Sequence, residues 1–290
     1  MGTKGKKWQV LHRQKYNNIL TKEVLLNATL SKKSDYRLAK ELNIPVTGVQ
    51  FYRKKYNLPS PRCDKELVRI RATNLTNEQI GLIVGTVLGD ANLHLGVNNE
   101  AFLTIEQGEK QKDYVFEKYS KLETICLMNP REVVGVQGYK VGSKSWKFST
   151  IQHSGLTKIY NLMYKDGKKV VTKEALNLLT LAGLAWWYFD DGSYHSLYKQ
   201  YNLATCQFSL EEQKLIRNFL FQKFKIKTSI LPKKNQEKAK YYYLYFAKET
   251  SNIFTQYLKP FVIPCLEYKV NRSSETKRET QKCDDIVRTL

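Results

Sequence analysis

Two short apolar stretches, each running into an acidic residue, constrain the fold of this chain more than any other feature. The first is IGLIVGTVLGDANL, residues 80–93, and the second is LAGLAWWYFDDGSY, residues 181–194. In the first, Gly81, Gly85 and Gly89 recur every four residues. A helix would place them on one face and cover the others with Leu82, Ile83, Val84, Val87 and Leu88. Thr76 and Gln79, three positions apart, form a capping box that sets the start of this helix. Glycine inside a helix costs about 1 kcal/mol against alanine. Three on one face make sense if a second helix approaches closer than the usual interaxial distance of roughly 8–10 Å. The second stretch supplies that helix.

The register of the second stretch decides which residue is the matching acid. Read from Ile83, the first stretch is IVGTVLGDA, with Asp90 eighth; read from Leu184, the second is LAWWYFDDG, with Asp191 eighth. Starting at the string LAGL, Leu181, would put Tyr188 in the acid's place, so that string is not the motif. Asp90 and Asp191 lie 101 positions apart, which leaves room for one small domain per stretch and signals an internal duplication.

The intervening segments repeat as well. After Asp90, Phe102, Thr104 and Glu106 alternate with Leu103 and Ile105 as in a strand. Lys112 to Leu127 has a helical stripe of Tyr114, Val115, Tyr119 and Leu122, and REVVGVQGY and SWKFSTI read as strands joined near Gly142. Leu156, Ile159, Tyr160 and Met163 mark a further short helix. In the second half, Tyr201 to Phe208 reads as a strand, and Ser209 with Glu212 caps a helix through Phe224. KTSILP and YYYLYFA are strands flanking the basic loop KKNQEKAK, and Thr250 to Leu258 is helical. The expected fold is α+β, with two pseudo-symmetric αββαββα halves packed through their motif helices. Their boundaries fall at residues 75–173 and 174–272, with a tail over 273–290.

The quoted strings resemble a known family. IVGTVLGDA and LAWWYFDDG, with LTNEQIGLIVGTVLGDANL, GKKVVTKEALNLLTLAGLAWWYFDDGS and LKPFVIPCLEYK around them, are similar to the two motifs of single-chain LAGLIDADG homing endonucleases over roughly residues 75–270. Trp186 and Asp190 depart from the family pattern, which has small residues there. The resemblance implies saddle-like antiparallel sheets reading a long DNA site, metal-dependent hydrolysis of both strands, and one motif acid per strand.

The residues suit that chemistry. Asp90 and Asp191, at the ends of adjacent helices, offer hard oxygen ligands suited to Mg²⁺, with Mn²⁺ able to substitute. Terminal helix carbonyls, at Gly89 and Asp190, add negative potential there. Asp190 contributes its backbone carbonyl or holds a lysine. Lys169 and Lys269 match basic positions that the family places near the active-site water, and Gln107 and Gln207 follow matching strands and would orient water. On the strand faces, Arg131, Gln137, Tyr139, Lys144 and Lys147 are DNA candidates in one half, and Lys227, Ser229, Lys233, Tyr241 and Tyr243 in the other.

Residues 1–60 differ from the rest and contain SDYRLAKELNIPVTGVQFYRKKYNL, a helix-turn-helix pattern after a basic arm. Ser34 caps its first helix, Asn43 takes the left-handed turn position, and Val46 to Tyr56 forms the second helix. Ala39 lets the helices cross, Val49 and Tyr52 face inward, and Thr47, Gln50, Arg53 and Lys54 point outward towards DNA. A linker over 61–74 follows.

Charge narrows the partner. Forty-eight Lys and Arg against 27 Asp and Glu give +21, which selects a polyanion, and nucleic acid before a membrane; the resemblance implies that it is double-stranded DNA. The five cysteines, at positions 63, 126, 206, 265 and 283, are odd in number and never in CxxC spacing, so they read as reduced thiols and exclude a zinc site. The expected protein is a monomeric, site-specific double-strand DNA endonuclease. It would be cytoplasmic, nucleoid-associated or in an organellar matrix, and not secreted. The alternatives are an intron RNA maturase, whose partner is intron RNA, and a non-cleaving transcription regulator on the same scaffold.

Overall fold

Helix starts are set by capping residues. Thr21, Ser34, Thr76, Thr172, Thr180 and Ser209 each accept from a backbone N–H in the first turn of a helix, satisfying a donor that every helix start leaves unpaired. The structure, a computed structural model, describes residues 16–31, 33–58, 70–96, 98–135, 141–232 and 241–270. The DNA candidates Gln137, Tyr139 and Lys233 lie outside the described residues, as do the basic arm through residue 15, residues 59–69 of the linker region and the tail.

Among the described residues three helices come first: α1 (Lys22–Leu30), α2 (Asp35–Glu41) and α3 (Val46–Lys55). They enclose their own core of Leu20, Leu25, Leu38, Ala39, Ile44, Val49 and Tyr52. Asn43 is left-handed, at φ 51°, and Ala39 is fully buried. Helix α1 had no counterpart in the sequence reading. Arg53 corrects that reading: it faces inward at 2% exposure, paired with buried Asp35 and donating from Nη1 to Thr29 Oγ1 at 2.7 Å. Its position explains this, because Val49, Tyr52 and Arg53 follow at i, i+3 and i+4 on one helical stripe. Thr47, Gln50 and Lys54 are exposed on the other side. Lys40 joins the unit to the rest of the chain through Glu123 at 2.7 Å.

The first repeat is α4 (Asn77–Leu88), β1 (Asn92–Leu95), β2 (Ala101–Gly108), α5 (Lys112–Leu122), β3 (Arg131–Val134), β4 (Lys144–Ser149) and α6 (Ser154–Met163). A short hairpin, β5 (Tyr164–Lys165) and β6 (Lys168–Lys169), and a one-and-a-half-turn helix α7 (Lys173–Leu178) lead to the second. That one is α8 (Leu181–Asp191), β7 (Gly192–His195), β8 (Gln200–Leu203), α9 (Leu210–Phe224), β9 (Thr228–Pro232), β10 (Tyr242–Phe246) and α10 (Lys248–Leu258). The sheets are antiparallel with matching strand orders, β1-β2-β4-β3 and β7-β8-β10-β9, so the duplication extends to topology. Among the described residues no helix is long and apolar enough to cross a membrane.

Helices α4 and α8 pack backbone to backbone. A Cβ built on Gly85 would lie 1.9 Å from the Gly183 carbonyl oxygen, one on Gly183 2.0 Å from Gly81 O, and one on Gly81 2.2 Å from Thr180 Oγ1. Gly183 belongs to the LAGL string that is not the motif; α8 starts at Leu181, and this string supplies the glycine of the crossing.

Strand parity sorts the DNA candidates. Strand β2 buries Ala101, Leu103, Ile105 and Gln107 and turns Phe102, Thr104 and Glu106 outward. Lys147 stands opposite both Glu106 and Arg131, so Arg131 and Lys147 share the outer face. Lys144 is a second correction: three positions from Lys147, it falls on the opposite face with Trp146 and pairs with Glu132 at 3.3 Å. In the second sheet Ser229 stands opposite Tyr245 and Leu231 opposite Tyr243, which puts Ser229, Tyr243 and the previously unnoticed Tyr245 on one outer face. Lys227 and Tyr241 are exposed beside them. Strand β8 stops at Leu203, short of the expected Phe208. There Ala204 N donates to Asp191 O at 3.1 Å, and Gln213 binds Thr205 and Phe208 O, turning the chain into α9.

Candidate active site

The close crossing of α4 and α8 brings their carboxyl ends together. Gly89 caps α4, and a Cβ there would lie 2.6 Å from Asp190 Cβ, so glycine is the residue that admits this approach. Asp90 follows it and is exposed, while Asp191, the last residue of α8, is half-buried. Gln107 Nε2 donates to Asp90 Oδ2 at 3.0 Å. The Asp191 carboxyl is pushed up to about 7, first by burial and then by the negative charges of Asp90 and Asp190. The two motif acids are thus electrostatic neighbours, and the nearby charges of Lys169 and Lys269 offset only part of the shift.

Two lysines approach this centre in related ways. Lys169, from β6, donates to Gly89 O at 2.9 Å, and Lys269, from the 3₁₀ turn Pro264–Lys269, donates to Asp190 O at 2.9 Å and also to Phe189 O. Gly89 and Asp190 hold equivalent places in the two motifs, so each lysine covers the exposed carbonyl end of one motif helix. Burial lowers both ammonium groups, and the three aspartates oppose that shift, Asp191 most for Lys169 and Asp190 most for Lys269. The glutamines diverge. Gln107 is buried and holds Asp90, whereas Gln207 is exposed and donates to Leu88 O at 3.0 Å.

Asp190 is turned inward. Its carboxylate takes Lys118 Nζ at 2.6 Å and Thr86 Oγ1 at 2.9 Å, so of the sequence alternatives it holds a lysine, and its own carbonyl is occupied by Lys269. Lys118, Thr86 and Tyr114, whose hydroxyl donates to Trp186 O at 3.1 Å, were absent from the sequence candidates. The available signal was Lys118 itself, a charged residue inside the apolar stripe of α5.

The oxygen set fits a small hard cation. Among the described residues no three His, Cys, Asp or Glu side chains gather as a metal cluster, because the third carboxylate points away. Asp90 and Asp191 remain, with Gly89 O and Asp190 O each keeping a second lone pair. Such a two-carboxylate set leaves coordination positions for water and substrate phosphate, as Mg²⁺ prefers. The crowding that lifts Asp191 is what a divalent cation would relieve.

Comparison with known proteins follows the same lines. The LAGLIDADG DNA endonuclease family matches residues 80–254. The chain is 29% identical over 211 residues to DNA endonuclease I-ChuI of Chlamydomonas applanata, covering 68% of this chain and 96% of that protein. It is 25% identical over 201 residues to cytochrome b mRNA maturase bI2 of Debaryomyces hansenii, covering 68% of this chain and 74% of that one. Among solved structures, the homing endonuclease I-WcaI bound to its DNA recognition sequence has a TM-score of 0.64 at 23% identity, covering 75% of this chain and 97% of that one. This last likeness establishes the shared fold.

Proposed function

Because the chain belongs to the LAGLIDADG DNA endonuclease family, we propose that it cuts both strands of a specific DNA site, with Asp90 and Asp191 as its catalytic carboxylates. The observation that carries this reading is the pair of motif acids side by side at the ends of α4 and α8, with a lysine against each helix end. The proposed roles follow from the contacts. Asp90 and Asp191 would hold divalent metal, Mg²⁺ or Mn²⁺, which when bound lowers the pKa of a coordinated water and neutralises charge at the phosphate. Lys169 and Lys269 keep positive charge beside the scissile phosphates and stabilise the charge that develops there. Gln107 would orient Asp90 and solvent, and Gln207 would orient solvent on the side of the other strand.

DNA would lie along the outer sheet faces. Arg131 and Lys147 serve one side, and Lys227, Ser229, Tyr241, Tyr243 and Tyr245 the other. We assign the halves to residues 75–173 and 174–272, acting as a monomer. The helical unit within residues 1–60 extends the contact, with Thr47 and Gln50 towards base edges and Lys54 towards phosphate.

The test is selection for cleavage from a randomised duplex library in Mg²⁺. Double-strand cutting at one long sequence, abolished by chelator, is expected; binding without cutting by the intact chain would refute the reading. The similarity to an mRNA maturase favours one second reading, splicing assistance to an intron RNA, which a splicing assay with and without the protein decides.

A further inference from the structure

One buried ion pair at the junction of the two halves takes no part in the chemistry above. Lys118, on α5 of the first half, is fully buried. Its ammonium donates to Asp190 Oδ1 at 2.6 Å and to Thr86 Oγ1 at 2.7 Å, and it stands 4.2 Å from the centre of the Tyr114 ring. Asp190 comes from α8 of the second half, immediately before Asp191. Stability does not account for the pair. Taking both ions out of water costs several kcal/mol each, and apolar residues of similar volume commonly hold a core as well or better. The matching helix of the second half does without one: the buried residues of α9 are Gln213, Ile216, Phe219, Leu220 and Phe224.

The remaining contacts of Asp190 lead to the catalytic centre. Its Oδ2 accepts from Thr86 Oγ1 at 2.9 Å and from the Asp90 backbone N–H at 3.4 Å. Its Oδ1 accepts from Gln107 Nε2 at 3.3 Å, and the same nitrogen donates to Asp90 Oδ2 at 3.0 Å. The chain of contacts therefore runs from Lys118 through Asp190 to both the backbone and the carboxylate of Asp90. Among the described residues the side of Asp191 shows no counterpart, since Gln207 is turned to Leu88 O.

We propose that Lys118 is a positioning residue. By fixing the Asp190 carboxylate across the junction of the halves, it aligns Gln107 and Asp90, and so sets the cutting rate of one DNA strand and not the other. The inference rests on the endonuclease reading.

The experiment follows each strand separately. The full chain and its Lys118→Met and Thr86→Val variants are incubated with Mg²⁺ and a selected target duplex labelled differently on its two strands. Thermal unfolding and DNA affinity are measured alongside. A reacting group displaced by about 1 Å loses on the order of 100-fold in rate, so Lys118→Met is expected to change the ratio of the two strand rates at least tenfold. Nicked DNA then accumulates while DNA affinity stays within twofold. Thr86→Val, which removes only the bridging hydroxyl, biases the same strand by a few-fold. A purely structural role would slow both strands together. Equal slowing, or no slowing, in a folded and DNA-binding Lys118→Met protein overturns the proposal. If that variant does not fold, an unbiased Thr86→Val protein overturns it. A wild type that cuts neither strand refutes the endonuclease reading itself, which distinguishes that failure from loss of the strand bias alone.

Discussion

Replacing Gly85 with alanine tests the close crossing on which the paired site depends. The added Cβ would lie 1.9 Å from the Gly183 carbonyl oxygen, whereas real Cβ atoms do not come within 3.0 Å of a neighbour. The obstacle is backbone, so no rotamer change relieves it, and α4 and α8 must separate by about 1 Å, which forfeits roughly a quarter to a half of the dispersion energy at the affected contacts. Overpacking of a core typically costs about 1–3 kcal/mol, and here it acts on the central helix pair. Alanine returns about 1 kcal/mol of helix propensity. Net of that return the expectation is ~2 kcal/mol of destabilisation, the upper end of the difference, because the obstacle is backbone. Gly108→Ala is the control, because nothing stands within 4 Å of a Cβ there. Urea unfolding of both variants gives the answer through their midpoints at equal slope. Indistinguishable midpoints for Gly85→Ala and Gly108→Ala would refute the reasoning.

Other expectations concern separate parts of the molecule. Asp35→Ala removes the buried carboxylate that faces the Arg53 guanidinium and should destabilise the N-terminal helices by up to about 3 kcal/mol, seen as early loss of hydrogen-exchange protection in α1 to α3. The carboxyl of Asp191 has been lifted from the ordinary range near 4 to about 7, so the folded state holds that proton more tightly than the unfolded chain. Its contribution to stability is complete below pH ~4 and is lost as pH rises to about 7. The thermal midpoint of metal-free protein should therefore fall between pH 5 and 7.5, and Asp191→Asn should flatten that fall. Lys54→Ala should weaken DNA binding similarly across sequences and reduce the salt slope by about 1, measured by titration at several salt concentrations.

What the sequence disclosed was local or repeated. Glycines at every fourth position and capping pairs at Thr76 and Ser209 carry their meaning within one turn of helix, and Asp90 and Asp191 stood out because the motif occurs twice. Arg53 was misread through its charge, although its place one turn after Val49 already put it on the buried stripe. Lys144 and Lys147 were grouped by composition, although an odd spacing in a strand separates their faces. Lys118 broke the apolar pattern of α5 visibly, but its partner lies 72 residues away on the other half. Only the packed junction joins the two. The end of β8 at Leu203 was hidden for a related reason, since Gln213, further along the chain, turns it.

The central claim is most directly tested with Asp90→Asn and Asp191→Asn, each of which removes one carboxylate charge with little change of volume. On a target that the wild type cuts in Mg²⁺, both variants should bind the DNA with affinity near wild type and make no double-strand break. Full cutting by either variant would contradict the paired-carboxylate account.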